Sequence, residues 1–108
     1  MLGFNAAKNR AIDAFGNELA VDLAERFPQA LEEPLTGRKT PDKMLRALTH
    51  VATRALEFRN ENDLGIYGKA RLLREFGAEL GRRGYSTEFV ESATAALVKT
   101  MAARKDAK

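Results

Sequence analysis

Apolar side chains recur along the chain at spacings of three and four residues, the spacing of one face of an α-helix. The first such stretch covers about residues 5–27 and ends at Pro28, whose ring cannot continue a helix. Its apolar face holds Ile12, Phe15, Leu19, Leu23 and Phe27. No window alternates between apolar and polar positions as a half-buried strand does. The pattern therefore predicts an all-α protein.

Residues 28–41 interrupt the periodicity and contain all three prolines of the chain. We expect a long irregular loop here, with one turn around residues 29–33. A second helix follows, with Thr40 as its N-cap and Pro41 at its first position. Its apolar stripe holds Leu45, Leu48, Ala52, Ala55 and Leu56. The pattern fades at residues 60–62.

Two further helices are predicted, the third from near Asp63 and the fourth after Ser86, which is a suitable N-cap. Gly84 between them fits a left-handed helix end. The predicted inner face of the third helix holds Ile66, Ala70, Leu73, Gly77 and Leu80, flanked by Leu72 and Phe76. The inward residues of the fourth are Phe89, Val90, Ala93, Leu97 and Met101. The short turn predicts an antiparallel hairpin, and Gly77 and Gly81 predict close packing of another helix.

These elements predict one compact, four-helix bundle-like domain over residues 1–108, with a frayed tail at residues 103–108. The chain is 44% hydrophobic and 31% charged, which is typical of a folded domain. It has no cysteine, so disulfides and thiolate chemistry are excluded. No apolar run reaches the ~18 residues of a membrane span, and no signal peptide is recognisable. We expect a cytoplasmic protein that does not enter membranes.

Charge is unevenly distributed, although the net charge is only +3. Residues 13–33 hold six acidic residues and one basic residue, whereas residues 34–54 hold five basic residues and one acidic residue. The second helix carries Arg46, His50 and Arg54 on one ridge. A second basic cluster includes Lys69, Arg82 and Arg83. These six residues are the candidate binding residues.

Two interpretations of the basic residues stay open. Such ridges can bind nucleic-acid phosphates. Alternatively, the basic second helix faces the acidic first helix, either within the fold or across a dimer. Spacings of four residues also predict the ion pairs Asp22–Arg26, Arg71–Glu75 and Glu79–Arg83.

Catalytic chemistry finds little support in the sequence. His50 is the single histidine, and neither Thr53 nor Glu57 forms a recognisable nucleophile–base pattern with it. Glu18 and Asp22 share a helical face, but no Glu-x-x-His motif accompanies them. We interpret them as a solvated acidic face and His50 as a surface histidine. No catalytic residue, cofactor or metal site is expected.

Two short segments resemble known motifs. Residues 64–70 are similar to the hairpin of helix-hairpin-helix DNA-binding proteins, but two residues separate Gly65 from Gly68 where that motif has one. We interpret them as a tight turn and a helix N-terminus. Residues 82–90 resemble the inter-helix turn of RecX-type three-helix modules and UBA-like domains, and this resemblance consists mainly of capping residues.

The sequence thus predicts a small non-enzymatic helical module for protein–protein interaction or oligomerisation. The alternative is a nucleic-acid-binding protein that uses the basic ridges of the second and third helices. A protein partner or a second copy of the chain is the expected ligand under the first interpretation.

Overall fold

Four α-helices form the structure, a computed structural model that describes residues 6–32 and 42–102. They are α1 (Ala6–Arg26), α2 (Asp42–Asn62), α3 (Ile66–Arg82) and α4 (Thr87–Ala102), with one 3-10 turn at Gln29–Leu31. The described residues contain no strand, and the prediction of an all-α, four-helix bundle-like fold is confirmed. The predicted cap at Thr40 and Pro41, most of the predicted loop and the predicted frayed tail lie outside the described residues.

The helices form a ring in the order α1, α2, α4, α3. The closest packing is between α1 and α3 and between α2 and α4, and the contacts of α1 with α2 and of α3 with α4 complete the ring. Consecutive helices α2 and α3 therefore lie diagonally across the bundle. One hydrophobic core receives residues from all four helices. Its largest fully buried side chains include Leu19, Leu23, Leu72, Phe76, Leu80, Phe89 and Leu97.

The turn between α3 and α4 is built by local capping chemistry. Gly84 has a φ of +94°, the left-handed region that favours glycine. The N–H of Gly84 donates to the carbonyl of Gly81, and the N–H of Tyr85 donates to that of Leu80 at 3.3 Å. Together they form a Schellman motif. The Ser86 hydroxyl then accepts the N–H of Phe89 at 3.1 Å, so the predicted glycine end and serine cap are confirmed.

The end of α1 is fastened to this turn. The hydroxyl of Tyr85 donates to the carbonyl of Phe27 at 2.5 Å, and the ring of Tyr85 stacks on Phe89. Phe89 also stacks on Phe27, with 5.6 Å between ring centroids. The carboxylate of Glu32 accepts the N–H and the hydroxyl of Ser86. One cluster therefore fixes the chain after α1 against the start of α4.

The predicted inner face of α3 is partly wrong. Leu72, Phe76 and Leu80 are fully buried, whereas Ile66 is 84% exposed. Ala70 is also exposed, and Leu73 is only half-buried. The helix carries two neighbouring apolar stripes, and periodicity alone does not decide which one enters the core. The stripe with Phe76 does so because its larger side chains fill the space between the helices.

The predicted stripe of α2 needs a smaller correction. Leu48, Ala52 and Ala55 are buried as predicted, but Leu45 is 53% exposed. Val51, which is not part of the predicted stripe, is fully buried. The helix is therefore turned slightly about its axis relative to the prediction, so that the side with Val51 meets the core.

Close helix packing occurs at Gly16 rather than at Gly77 and Gly81. A Cβ atom on Gly16 would lie 2.6 Å from the backbone oxygen of Leu72, so α1 and α3 approach each other there. A Cβ on Gly77 would make ordinary contacts at 3.5 Å with Thr94 and Val90, and one on Gly81 would meet nothing within 4 Å. α1 also continues through Gly16 without the break that glycine permits.

Candidate functional site

The basic ridge of α2 packs against the acidic face of α1. The Nη1 atom of Arg54 donates to Oδ2 of Asp22 at 2.8 Å, and its Nη2 atom donates to Oε2 of Glu18 at 2.6 Å. The same guanidinium lies over the ring of Phe15, 5.1 Å from its centroid. The Nε2 atom of His50 lies 3.0 Å from Oδ2 of Asp22. We call this group of five residues the α1–α2 seam.

Asp22 is the centre of the seam. Its carboxylate also accepts Nε of Arg26 at 2.8 Å, which confirms the predicted Asp22–Arg26 pair. Partial burial alone would raise the pKa of Asp22, but the hydrogen bonds from Arg54 and Arg26 and the electrostatic effect of His50 outweigh burial. The pKa of this carboxyl is therefore lowered from its ordinary value. Asp22 remains ionised and holds α2 against α1.

The cations at the end of α3 are also paired. Arg82 donates to Glu79 at 2.8 Å and to Glu75 at 3.1 Å, and Arg83 donates to Glu79 at 2.9 Å. The hydrogen bond from Arg82 lowers the pKa of Glu79, and Arg83 adds to this effect, whereas partial burial opposes it. The predicted pair Glu79–Arg83 is confirmed.

Arg71 pairs across helices rather than along its own. Its Nε and Nη2 atoms donate hydrogen bonds to the two carboxylate oxygens of Asp13 on α1, at 2.8 and 3.0 Å. The predicted pair Arg71–Glu75 is therefore wrong, because Glu75 receives Arg82 instead. A bidentate contact to another helix satisfies more donors of the guanidinium than a pairing along one helix.

Four of the six candidate binding residues are thus engaged within the fold: His50, Arg54, Arg82 and Arg83. The other two, Arg46 and Lys69, make no ion pair with any described residue. The first helix thus pairs with two of the three ridge residues of α2, His50 and Arg54, as one of the two interpretations of the sequence expected within the fold. Within residues 6–32 and 42–102, no group of three acidic or histidine side chains is arranged to hold a metal ion.

A different surface is apolar, with four exposed and two half-buried members. It follows the outer side of the α3–α4 hairpin, and we call it the hairpin face. Its members are Ile66, Ala70 and Leu73 of α3 and Val90, Ala95 and Val98 of α4. Val98 is 46% exposed and joins two shallow depressions, one between the helices beside Ile66 and Leu73 and one along α4 beside Val90 and Ala95.

Charged side chains border the hairpin face without being neutralised. Glu91 and Lys99 line the depression along α4, and Lys69 lines the one between α3 and α4. None of the three makes an ion pair with another described residue. The sequence pattern placed four members of this face in the core: Ile66, Ala70, Leu73 and Val90. The sequence feature that could have indicated this face is the second apolar stripe of α3. A helix at the surface of a bundle buries one face, so a second apolar stripe indicates an exposed apolar surface.

Among the described residues, no helix is both long and apolar enough to cross a membrane. Comparison of the chain with protein-family models, with curated proteins and with solved structures gives no match.

Proposed function

We propose that this protein is a non-enzymatic interaction module that binds a protein partner through its hairpin face. The partner presents the apolar ridge of a helix, which fits the shallow depressions beside Val98. The observation that carries the proposal is that α3 is apolar on two sides. One side, with Leu72 and Phe76, fills the core; on the other side Ile66 is exposed, and Leu73 is half-buried at the edge of the core.

The physical argument rests on the cost of exposing apolar surface to water. Burial of such surface stabilises a complex by roughly 25 cal/mol per Å². Monomeric proteins rarely expose contiguous apolar patches larger than a few hundred Å², and the larger patches are often interaction sites. Ala70 and Ala95 have small side chains, so the backbone of a partner helix can come close. The larger side chains of Ile66 and Val98 then contact the partner helix and lose their exposure to water.

The alternative of nucleic-acid binding receives less support. Phosphate binding requires cations that are not already neutralised. Arg54, Arg82 and Arg83 hold carboxylates of their own chain. Of the six candidate binding residues, the two without an ion pair among the described residues, Arg46 and Lys69, lie on α2 and α3, which are diagonal in the bundle.

A photo-crosslinking residue tests the proposal directly. We place it at Val98 on the hairpin face and, as a control, at Thr53, an exposed position on α2. In the cells that produce the protein, we expect a discrete crosslinked protein from position 98 and none from position 53. The crosslinked species, which can be the chain itself or another protein, is identified by mass spectrometry. Absence of any protein crosslink at position 98 would overturn the proposal.

A further inference from the structure

We infer that the partner at the hairpin face is a second copy of this chain, docked with the two α4 helices antiparallel and crossing at Ala95. This inference rests on the proposed function and identifies the protein partner that the hairpin face binds. A two-fold axis through the crossing point makes the contact self-complementary, as in most homodimers.

Charge complementarity is the observation that selects this arrangement. Glu91 and Lys99 lie four residues before and four residues after Ala95, and both line the same depression of α4. An antiparallel pairing places Glu91 opposite the partner's Lys99, and symmetry repeats the pair at the other end. A parallel pairing would instead set Glu91 against the partner's Glu91, and like charges at this position oppose association.

The centre of the contact is built from small side chains. Ala95 is exposed midway between Glu91 and Lys99 on α4, and Thr94 is its neighbour in the chain. Small side chains let two helices approach closely, so that larger neighbours on either side make contact. Val98 on α4 and Leu73 on α3 are the apolar groups that the second copy covers.

The small size of the face is typical of a weak, reversible dimer. α4 has 16 residues. At about 1.5 Å per residue it is about 24 Å long, and with α3 it gives a footprint on the order of 500 Å². Stable interfaces bury roughly 800 Å² on each partner. The dimer is therefore weak and forms reversibly as the protein concentration rises.

Sedimentation equilibrium of the full chain, from about 10 µM to about 1 mM, measures this dimer. We expect a monomer–dimer equilibrium for the wild type. Glu91→Lys and Lys99→Glu each place like charges at both ends of the contact, and each weakens dimerisation at least about tenfold. The double variant Glu91→Lys/Lys99→Glu exchanges the two charges and restores association. Circular dichroism confirms that each variant folds, since both side chains are exposed.

Mixing the two single variants gives a sharper test. In a mixed dimer every end carries one acidic and one basic residue, so a 1:1 mixture dimerises although each variant alone is weakened. Failure of the mixture and of the double variant to recover overturns the antiparallel arrangement. A wild type that stays monomeric at about 1 mM overturns the second copy as partner. If Val98 then crosslinks a different protein, the interaction module stands and only this inference is lost; no crosslink at all removes both.

Discussion

The α1–α2 seam and the hairpin face each lie along a pair of helices. They differ in how many of their charged side chains are ion-paired and how many of their apolar side chains are exposed. In the seam, the carboxylate of Asp22 contacts His50 and Arg54, and it also pairs with the neighbouring Arg26, so its charge is satisfied within the fold. On the hairpin face, Ile66 and Val98 meet water and the bordering Glu91 and Lys99 have no ion-pair partner among the described residues. A count of charged residues in the sequence therefore does not locate a binding surface. Exposed apolar side chains and charged side chains without an ion pair are the better guide.

The two surfaces are also expected to contribute to different properties: the seam to the free energy of unfolding, and the hairpin face to association. Isolated surface ion pairs contribute little to stability, with a median of about 0–1 kcal/mol. The seam is more than one pair, because Arg54 is only 29% exposed, bridges two carboxylates and lies over an aromatic ring. We expect substitutions on the closed side of the molecule to change the free energy of unfolding. Substitutions on the hairpin face are expected to change association instead.

The two apolar stripes of α3 provide the largest contrast. Leu72→Ala removes a side chain that is fully buried, and the loss of burial with the cavity left behind lowers the free energy of unfolding by about 2–5 kcal/mol. Ile66→Ala removes a side chain that is 84% exposed. Its effect on monomer stability is expected to stay within about 0.5 kcal/mol. Urea denaturation at low protein concentration measures both, and similar losses would show that Ile66 belongs to the core.

Two glycines of the chain are expected to respond in opposite directions to the same substitution. Gly16→Ala places a methyl group 2.6 Å from the backbone oxygen of Leu72, and a backbone atom cannot move aside without separating α1 from α3. We expect a loss of about 1–3 kcal/mol. Gly81→Ala meets nothing within 4 Å in a helix and gains up to about 1 kcal/mol from helix propensity.

Thermal and urea denaturation of both variants measure these shifts. A stabilised Gly16→Ala variant would contradict the close approach of α1 and α3. The matched substitution at Gly81 shows that a methyl group in a helix is not itself harmful.

The sequence predicts the helices because their signals are local. Periodicity, Pro28 after α1, Gly84 and the Ser86 cap all act within a few residues, and each is found where it was predicted. The rotation of each helix about its axis is not local. It depends on which stripe packs better against a distant helix, and so Ile66 and Leu45 were assigned to the core although both are exposed.

The candidate site depended even more on distant contacts. Pairs within one turn, such as Asp22–Arg26, were predictable from spacing. Arg71 and Asp13 are 58 residues apart, and nothing in their spacing relates them. Glycine posed the same problem, because Gly77 and Gly81 form a recognisable pattern and Gly16 does not. Only the packing of α1 on α3 shows which glycine is required.

Removal of the cation from the seam is expected to have an intermediate effect. Arg54→Ala leaves Asp22, which is 15% exposed, with one hydrogen bond fewer and with the carboxylate of Glu18 nearby. We expect the free energy of unfolding to fall by about 1–3 kcal/mol. Arg46→Ala, an exposed position on the same helix without an ion pair among the described residues, is the matched control and changes stability by about 0.5 kcal/mol or less. Equal effects of the two substitutions would show that the seam contributes no more than ordinary surface charge.

Tyr85 joins the two regions, because its hydroxyl holds the end of α1 at the base of the hairpin. Tyr85→Phe removes the hydrogen bond to the carbonyl of Phe27 and is expected to cost about 1–2 kcal/mol. Tyr67→Phe, which removes an exposed hydroxyl that accepts a hydrogen bond from Arg71 at the surface, is the control and changes stability by about 0.5 kcal/mol or less.

The pH dependence identifies the hydroxyl as the cause of this loss. Burial raises the pKa of Tyr85 above its ordinary value of 10.0; the charge of Arg83 opposes this shift and that of Glu32 adds to it. Because the folded state holds the phenol proton more tightly than the unfolded state, the stabilisation is complete below pH 10 and is lost as the pH rises from there through the folded pKa. The difference between the wild type and Tyr85→Phe in urea denaturation should therefore narrow above pH 10. A difference that stays constant across this range would mean that the phenol proton is not what fastens α1 to the hairpin.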